Sequence, residues 1–524
     1  MTGTDLEPDI RCLADIVRVH ARLRPDAIAL ECDGESLTFA EWYERAAAVA
    51  AALVADGVGP NARIAVLARN SLALFELTFG AALVGAVAVP VNWRLAPPEV
   101  LEIVNDAEAE ILVVGGELVA VVERIEPELD QVRRLVSLGP HDRWTTYEAW
   151  LGAQPPADPG ATADADQVAM QLYTSGTTGL PKGAMLTTAN VLSLMSGVNR
   201  SWELRAADSV NLALMPMFHI AGLGWSVCGL AFGCRTVVVP DVEPAKVLAA
   251  LRRGVTHAFM VPAVIQLLLA APGVDRSDFR SLRKVVYGAS PISESVLTRA
   301  IETMGCELIQ VYGLTETTGA IVQLDAHDHD PVLRPELLRS CGRPYPWVAV
   351  RIVLPDGSEA AEGEVGELWV RSPQVMSGYW RNREATADAI TADGWFRTGD
   401  AGYRDPDGYL YLYDRVKDMI VTGGENVYPA EVENALMAHP AVADAAVFGI
   451  PDEQWGEAVK AVVVAVGEPP PAEALIAFCR ERIAGYKCPK SIDFAATLPR
   501  NPSGKLLKRE LRAPYWGGTD RLVG

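Results

Sequence analysis

The sequence predicts an α/β protein in which parallel sheet carries helices on its faces, followed by antiparallel strands and a small closing α+β unit. Three observations predict it. Short apolar runs alternate with helical ones from residue 28 onward, the pattern of parallel strands joined by crossover helices. From Cys341 the texture changes, and Pro355-Asp-Gly357, Ala392-Asp-Gly394 and Pro406-Asp-Gly408 read as turns between antiparallel strands. After Asp414 a last stretch of about one hundred residues holds enough strand and helix for a core of its own.

The elements follow in order. Residues 28–31 form a strand, Thr38 caps a helix running to Ala55, and Gly57 stops it. Strand 63–67, helix 71–84 and strand 86–91 come next. The apolar run 77–91 is therefore the end of a helix and a buried strand, too short to span a bilayer. Pro97 and Pro98 sit where a helix starts, and 111–114 is the next strand. Residues 152–166 form a loop. Strands 167–173 and 184–186 flank a polar turn, and Thr188 caps a helix from Ala189. Strands 236–239, 258–261 and 284–287 continue the α/β rhythm, while 367–371 and 409–413 belong to the antiparallel part. The last unit reads as helix 431–438, strands 445–450 and 458–466, and helix 472–484.

A chain of 524 residues needs more than one hydrophobic core. Half its residues are hydrophobic and 22% are charged, a soluble globular composition. The formal charge of −21 argues against nucleic acid as a partner, so any bound polyanion must be held by local groups. Residues 1–7 are acidic without an apolar run, and no secretory signal or transmembrane segment is expected. The eight cysteines are scattered with no Cys-x-x-Cys pair, which reads as buried thiols of a reducing compartment and a cytoplasmic location.

The stretch Tyr173-Thr-Ser-Gly-Thr-Thr-Gly-Leu-Pro-Lys-Gly183 carries the chemistry. Gly176 and Gly179 let backbone N–H groups converge on an anion, Thr174, Ser175, Thr177 and Thr178 add hydroxyl donors, and Lys182 brings a mobile charge. No Gly-Lys is followed by Ser or Thr, so this phosphate cradle is not a Walker A loop. Three further polar clusters interrupt the α/β rhythm at strand ends: Pro216–His219, Tyr287–Pro291 and Gln310–Gly319. Open parallel sheets bind ligands at the carboxyl ends of their strands, so these loops are expected to share one crevice.

With Tyr312-Gly-Leu-Thr-Glu316, Thr398-Gly-Asp400, Asp414-Arg415-x-Lys417, Gly423-Gly-Glu-Asn426 and Pro499-Arg-Asn-Pro-Ser-Gly-Lys505, the cradle resembles the motif series of the adenylate-forming superfamily. The likeness covers essentially the whole chain and points to acyl-CoA synthetases, nearest to the actinobacterial type. It implies a large N-terminal domain of parallel α/β sheets with a small β-barrel-like subdomain, residues 1–414, and a small mobile α+β C-terminal domain, residues 415–524.

The same resemblance implies the roles. A carboxylate joins the α-phosphate of ATP and releases pyrophosphate; the acyl group then passes to coenzyme A and AMP leaves. The nucleophile is already an anion, so the first step needs positive charge and oriented dipoles rather than a base. The cradle residues 174–179 and Lys182 hold the outer phosphates, Thr315 donates to the α-phosphate, and Glu316 is the Mg²⁺ ligand. Tyr312 and Gly313 with Ala289, Ser290, Pro291 and Gln310 form the adenine site, and Asp400 with Arg415 the ribose site. Lys505 bridges carboxylate and phosphate during adenylation, and Lys417 is the hinge. Gly423, Gly424 and Glu425 line the coenzyme A face, and His219 gates the pantetheine tunnel. Phe218, His219, Trp225, Gly288, Ala289, Leu314 and Gly319 form the acyl pocket. Each taken singly has a plainer reading: a core tyrosine, a satisfied core histidine, a solvated lysine. A homodimer is left open.

Rival activities fit the residues less well. His219 stands where amino-acid adenylating domains usually place an aspartate, and Gly423-Gly-Glu-Asn426 speaks against a ligase that stops at acyl-AMP. The terminal Asp-Arg-Leu-Val-Gly lacks the peroxisomal address of luciferase-type enzymes. A sensor without catalysis would have no use for Lys182, Glu316, Asp400 and Lys505 together. No basic residue lies in 218–225, 287–289 or 314–321, which favours a hydrophobic acid over a dicarboxylate. A medium- or long-chain fatty acid is the leading expectation, with a bulky cyclic, terpenoid or aryl acid as the alternative. The run Asp325-Ala-His-Asp-His-Asp330 reads as a solvated acidic loop.

Overall fold

In the computed structural model the described residues are 6–175, 181–290, 292–415, 418–422, 425–452, 456–483, 485–500 and 506–516. Their strands sort into five sheets. One is wholly parallel and runs Val87–Pro90, Arg63–Leu67, Ala109–Val114, Arg134–Ser137, Thr145–Thr146. Its strands are near-continuous apolar runs because helices cover the faces of such a sheet; all five residues of Arg63–Leu67 are buried. The helix Phe39–Ala55 starts as the sequence predicts, with a reciprocal capping box between Thr38 and Glu41.

The nine-stranded sheet holds the carboxyl strand ends that matter for the site. Glu307–Leu314, Lys284–Gly288, His257–Met260, Val210–Ala213 and Arg235–Val238 lie side by side and parallel in that order. Gly319–Leu324 returns antiparallel on Glu307–Leu314. The strand beginning at Ile28 departs from the expected rhythm: it pairs with the distant Arg235–Val238 on one side and on the other forms a hairpin with Glu35–Thr38, a strand not expected from sequence. Alternation fixes that a segment is a strand; the pairing partner is set by where its two faces can be buried.

Val168–Ser175 and Pro181–Thr187 form an antiparallel hairpin with Gly378–Tyr379 on its outer edge. The helix after it begins at Thr188 with Thr187 as its cap, one residue earlier than expected, because the Thr187 hydroxyl and Asn190 bond each other's backbone. Ala349–Val353, Gly366–Arg371, Phe396–Arg404 and Leu410–Arg415 make the antiparallel half-barrel. The last unit packs the paired strands Val442–Asp452 and Gly456–Ala465 against helix Pro429–Met437, and helix Ala472–Arg480 lies on that helix and on strand Ser491–Phe494. The second of these helices stops at Arg480, short of Ala484, where Arg482 and Ile483 both turn back to the carbonyl of Cys479. The largest buried apolar cluster ends at Leu410, and a separate one runs from Ile420 to Ile492. No helix among the described residues is long and apolar enough to cross a membrane.

Three histidines are buried in this core. His20, His257 and His329 are no more than 8% exposed, and burial lowers each pKa from 6.5 to about 4. Above pH 6.5 they are neutral in both folded and unfolded chain and cost nothing. Between pH 6.5 and 4 the unfolded chain takes up protons that the folded chain refuses, so stability falls with pH across that window by up to roughly 1.4 kcal/mol per unit for each histidine. Denaturant unfolding between pH 7 and 4.5 is expected to show this slope, and His257→Gln is expected to reduce it. An unchanged slope would contradict the assignment.

Candidate active site

The crevice is built where the hairpin 168–187, the carboxyl end of Glu307–Leu314 and the half-barrel meet. On Glu307–Leu314, Gln310 and Tyr312 alternate with buried Ile309 and Val311, so both point to the same face. The strand then closes into the tight turn Thr315–Thr317, and Thr318 takes a left-handed conformation at φ 55°. The buried Gln374 holds this turn: its amide donates to the carbonyls of Thr317 and Ala320, its main-chain carbonyl accepts from the Thr318 hydroxyl, and its side-chain oxygen accepts from the Trp347 indole. Ala289, just past the strand Lys284–Gly288, also lies in the left-handed region at φ 68°. Strain of this kind costs a non-glycine residue on the order of 1 kcal/mol or more and concentrates at binding sites.

Two contacts join residues that the sequence named separately. The Tyr312 hydroxyl donates to Asp400 Oδ2 at 2.6 Å, which sets the aromatic ring beside the expected ribose carboxylate. Burial and that neighbouring carboxylate push the phenol pKa well up, so it remains a donor at neutral pH. The Thr174 hydroxyl lies 3.4 Å from Glu316 Oε1, so the cradle hairpin and the acidic turn are in contact. Asp400 is carried by Phe396–Arg404, opposite Arg415 in register; its backbone N–H donates to the Thr398 hydroxyl, and the N–H of Gly399 to Glu367.

A third group was not found from sequence. The Tyr379 hydroxyl donates to Glu316 Oε1 at 2.9 Å, and Lys182 Nζ sits 5.3 Å from the centre of the Tyr379 ring. Among the described residues Glu316 Oε2 takes no hydrogen bond, and the residue is 9% exposed. A carboxylate fixed through one oxygen with the other left over suits a hard cation such as Mg²⁺, which takes one or two carboxylates beside substrate phosphates.

The remaining predicted residues fall in three places. The Tyr287 hydroxyl lies 2.9 Å from Nε2 of His329 and 3.3 Å from the Gln310 side-chain oxygen, so the three side chains meet beside the expected adenine site. His219 caps the helix Ile220–Ala231 next to Phe218, and burial with the nearby Arg94 charge lowers its pKa to about 4. Its Nε2 is buried with no partner among the described residues, an atom suited to meeting a ligand. Trp225 is a core residue: its indole donates to the Leu212 carbonyl and packs on Trp202 and Phe259. Gly319 faces Ile220 and Leu194, an apolar wall. Gly288, Leu314 and Gly313 lie on the strands just described, and Thr315 opens the turn. Ser290 follows Ala289.

Gly176, Thr177, Thr178, Gly179, Pro291, Lys417, Gly423, Gly424 and Lys505 lie outside the described residues, as do the side chains of Ser175, Arg415 and Glu425. The run 325–330 departs from its solvated reading. Asp328 is buried and accepts from Arg334 and the Tyr409 hydroxyl, and His329 is buried against Tyr287. Only Asp325 and His327 are exposed there, because the segment packs back on strand Glu307–Leu314.

The hairpin 168–187, the turn that carries Glu316 and the Tyr312–Asp400 pair meet in one crevice of an enzyme of the adenylate-forming superfamily. The chain belongs to the AMP-binding enzyme family: that family's model matches residues 17–380, and the model of the AMP-binding enzyme C-terminal domain matches residues 431–505. It is 39% identical over 522 residues to a fatty acid–[acyl-carrier-protein] ligase of Streptomyces coeruleorubidus, covering 98% of this chain and 99% of that one. It is 39% identical over 501 residues to a feruloyl-CoA synthase of an Amycolatopsis species, covering 95% and 97%. Among solved structures, the anthranilate CoA ligase AuaEII in complex with anthranoyl-AMP superposes with a TM-score of 0.89 at 28% identity, covering 96% of this chain and 97% of that one.

Proposed function

We propose that this protein is an acid–thiol ligase that couples a hydrophobic monocarboxylic acid to coenzyme A through an acyl-adenylate. The observation that carries the reading is the convergence of Thr174, Glu316, Tyr312 and Asp400, which brings phosphate-binding and nucleoside-binding groups to one crevice. In the first step a carboxylate oxygen bonds to the α-phosphorus as the bond to pyrophosphate breaks. Lys182 and residues 174–179 hold the leaving pyrophosphate, and Thr315 donates to the α-phosphate. Tyr312 stacks on adenine while Asp400 and Arg415 take the ribose hydroxyls. Glu316 would hold Mg²⁺, which would supply charge neutralisation on the phosphates. Lys505 spans the carboxylate and the α-phosphate.

In the second step the thiol sulfur bonds to the acyl carbon, the bond to AMP breaks, and the thiol proton passes to solvent. With a pKa of about 4, His219 is neutral at working pH and acts as a hydrogen-bonding gate rather than as a base. Gly423, Gly424 and Glu425 line the coenzyme A path. We place the domain division at 1–414 and 415–524 with Lys417 as the hinge; the separate apolar clusters on either side support it. Every group named comes from one chain, so the reading holds for a monomer or a homodimer. Eight free thiols, seven of them buried, support a reducing, cytoplasmic setting.

The acid is assigned as hydrophobic because Leu194 and Ile220 flank Gly319 and His219, in ring contact with Phe218, is kept neutral by burial. Fatty and aryl acids both satisfy these walls, and relatives acting on each kind match this chain at similar identity. A panel of straight-chain, aryl, polycyclic and dicarboxylic acids, assayed by coenzyme A-dependent AMP release, tests the reading. Activity with hydrophobic monoacids and a loss of about a hundredfold or more with dicarboxylates is expected, the cost of burying a second carboxylate. Preference for a dicarboxylate would overturn the assignment. Holo acyl-carrier protein offered in place of coenzyme A decides the thiol acceptor.

A further inference from the structure

Tyr379 lies outside every motif that the sequence singles out, and it touches both ends of the phosphate site. Its backbone is fixed on the cradle hairpin: Tyr379 pairs with Ala184, and the next N–H, of Trp380, donates to the Gly183 carbonyl at 2.7 Å. Trp380 is clamped in turn. Its indole N–H donates to the Asp106 carbonyl at 2.9 Å, and the buried Arg63 guanidinium lies 3.6 Å from its ring centre. Three residues before Tyr379, the N–H of Met376 donates to the Glu316 main-chain carbonyl at 2.8 Å. The segment 376–380 therefore grips Glu316 twice, once by its backbone and once by its carboxylate.

We propose that Tyr379 is a positioning residue for adenylation, its hydroxyl holding Glu316 Oε1 so that Oε2 is left for the cation and its ring seating Lys182. The inference rests on the reading of Glu316 and Lys182 as the metal and phosphate groups. A carboxylate that accepts a hydroxyl from a clamped tyrosine has no rotation to lose when the cation binds, which is preorganisation. The ring face adds a cation–π contact that keeps Lys182 near the same carboxylate without an ion pair consuming its charge. Thr174, at 3.4 Å from the same Oε1, is the weaker second tether.

Tyr379→Phe keeps the ring and the strand pairing and removes only the hydroxyl. The expected result is about a tenfold rise in the Mg²⁺ concentration that half-saturates binding of a non-hydrolysable ATP analogue, read by calorimetry, the scale of a lost hydrogen bond to a charged acceptor. The rate of acyl-adenylate formation is expected to fall about tenfold as well. The thermal midpoint and the rate of thioester formation from supplied acyl-adenylate stay as in the parent. Tyr379→Leu, which also removes the ring, further weakens binding of the analogue at saturating Mg²⁺. A Tyr379→Phe protein with the parent's Mg²⁺ midpoint would overturn the positioning role, even where Glu316→Gln shifts that midpoint. Should Glu316→Gln leave the midpoint in place, the metal reading and this inference fall together.

Discussion

Lys505→Ala is expected to lower the rate of acyl-adenylate formation by about 10²–10³-fold, the scale of removing one charge aimed at a transition state. Thioester formation from supplied acyl-adenylate and coenzyme A is expected to proceed at the parent rate. The two half-reactions separate because only the first brings a carboxylate against a triphosphate. Acyl-adenylate is already activated, so thiol attack on its acyl carbon needs no bridge between a carboxylate and a triphosphate. Quenched-flow assays of each half-reaction check this. Equal loss in both would contradict a role confined to adenylation.

Gly313→Ala carries the other large effect, and here the structure supplies the reason. Gly313 faces Ala320 across the strand pair, next to a register shift. A Cβ on Gly313 would lie 1.8 Å from the Gly319 carbonyl oxygen and 2.6 Å from its carbon. Both are backbone atoms, so no side chain can swing away; the strands must part at the turn that carries Thr315 and Glu316. Forced backbone shifts of this kind cost about 1–3 kcal/mol and sometimes more. The expected result is a lowered thermal midpoint together with ATP binding weakened by about tenfold or more, since the turn and the Tyr312–Asp400 pair move with it. Parent-like stability and ATP affinity would contradict the close approach.

Much of this site is legible in the sequence because its chemistry is local. The cradle is a glycine and hydroxyl pattern, Thr315-Glu316 sits in a glycine-bounded turn, and Asp400 follows a glycine with φ 71°. What is not legible is which of these groups meet. Nothing within the sequence near Tyr312 announces Asp400; the contact arises because the half-barrel packs its strand 396–404 against the end of 307–314. Tyr379 escaped for the same reason. Residues 377–380 carry no charged group, and the role of Tyr379 comes from pairing with the distant hairpin 168–187. The strand beginning at Ile28 shows the limit in the fold: apolar alternation found the strand, and its pairing with Arg235–Val238 depends on faces buried far along the chain. At 325–330 the density of charge suggested solvent, whereas Arg334 and Tyr409 supply partners that let Asp328 be buried.

One crevice is expected to make an acyl-adenylate and then transfer the acyl group to a thiol. This is tested most directly by a single-turnover experiment with the preferred acid, following acyl-adenylate, pyrophosphate, AMP and acyl-CoA by mass spectrometry. Without coenzyme A, acyl-adenylate and pyrophosphate should form in equal amounts and stay bound to the enzyme. On adding coenzyme A, acyl-adenylate should vanish as AMP and acyl-CoA appear in equal amounts. Formation of ADP and phosphate, or acyl-adenylate that persists when coenzyme A is added, would contradict the account.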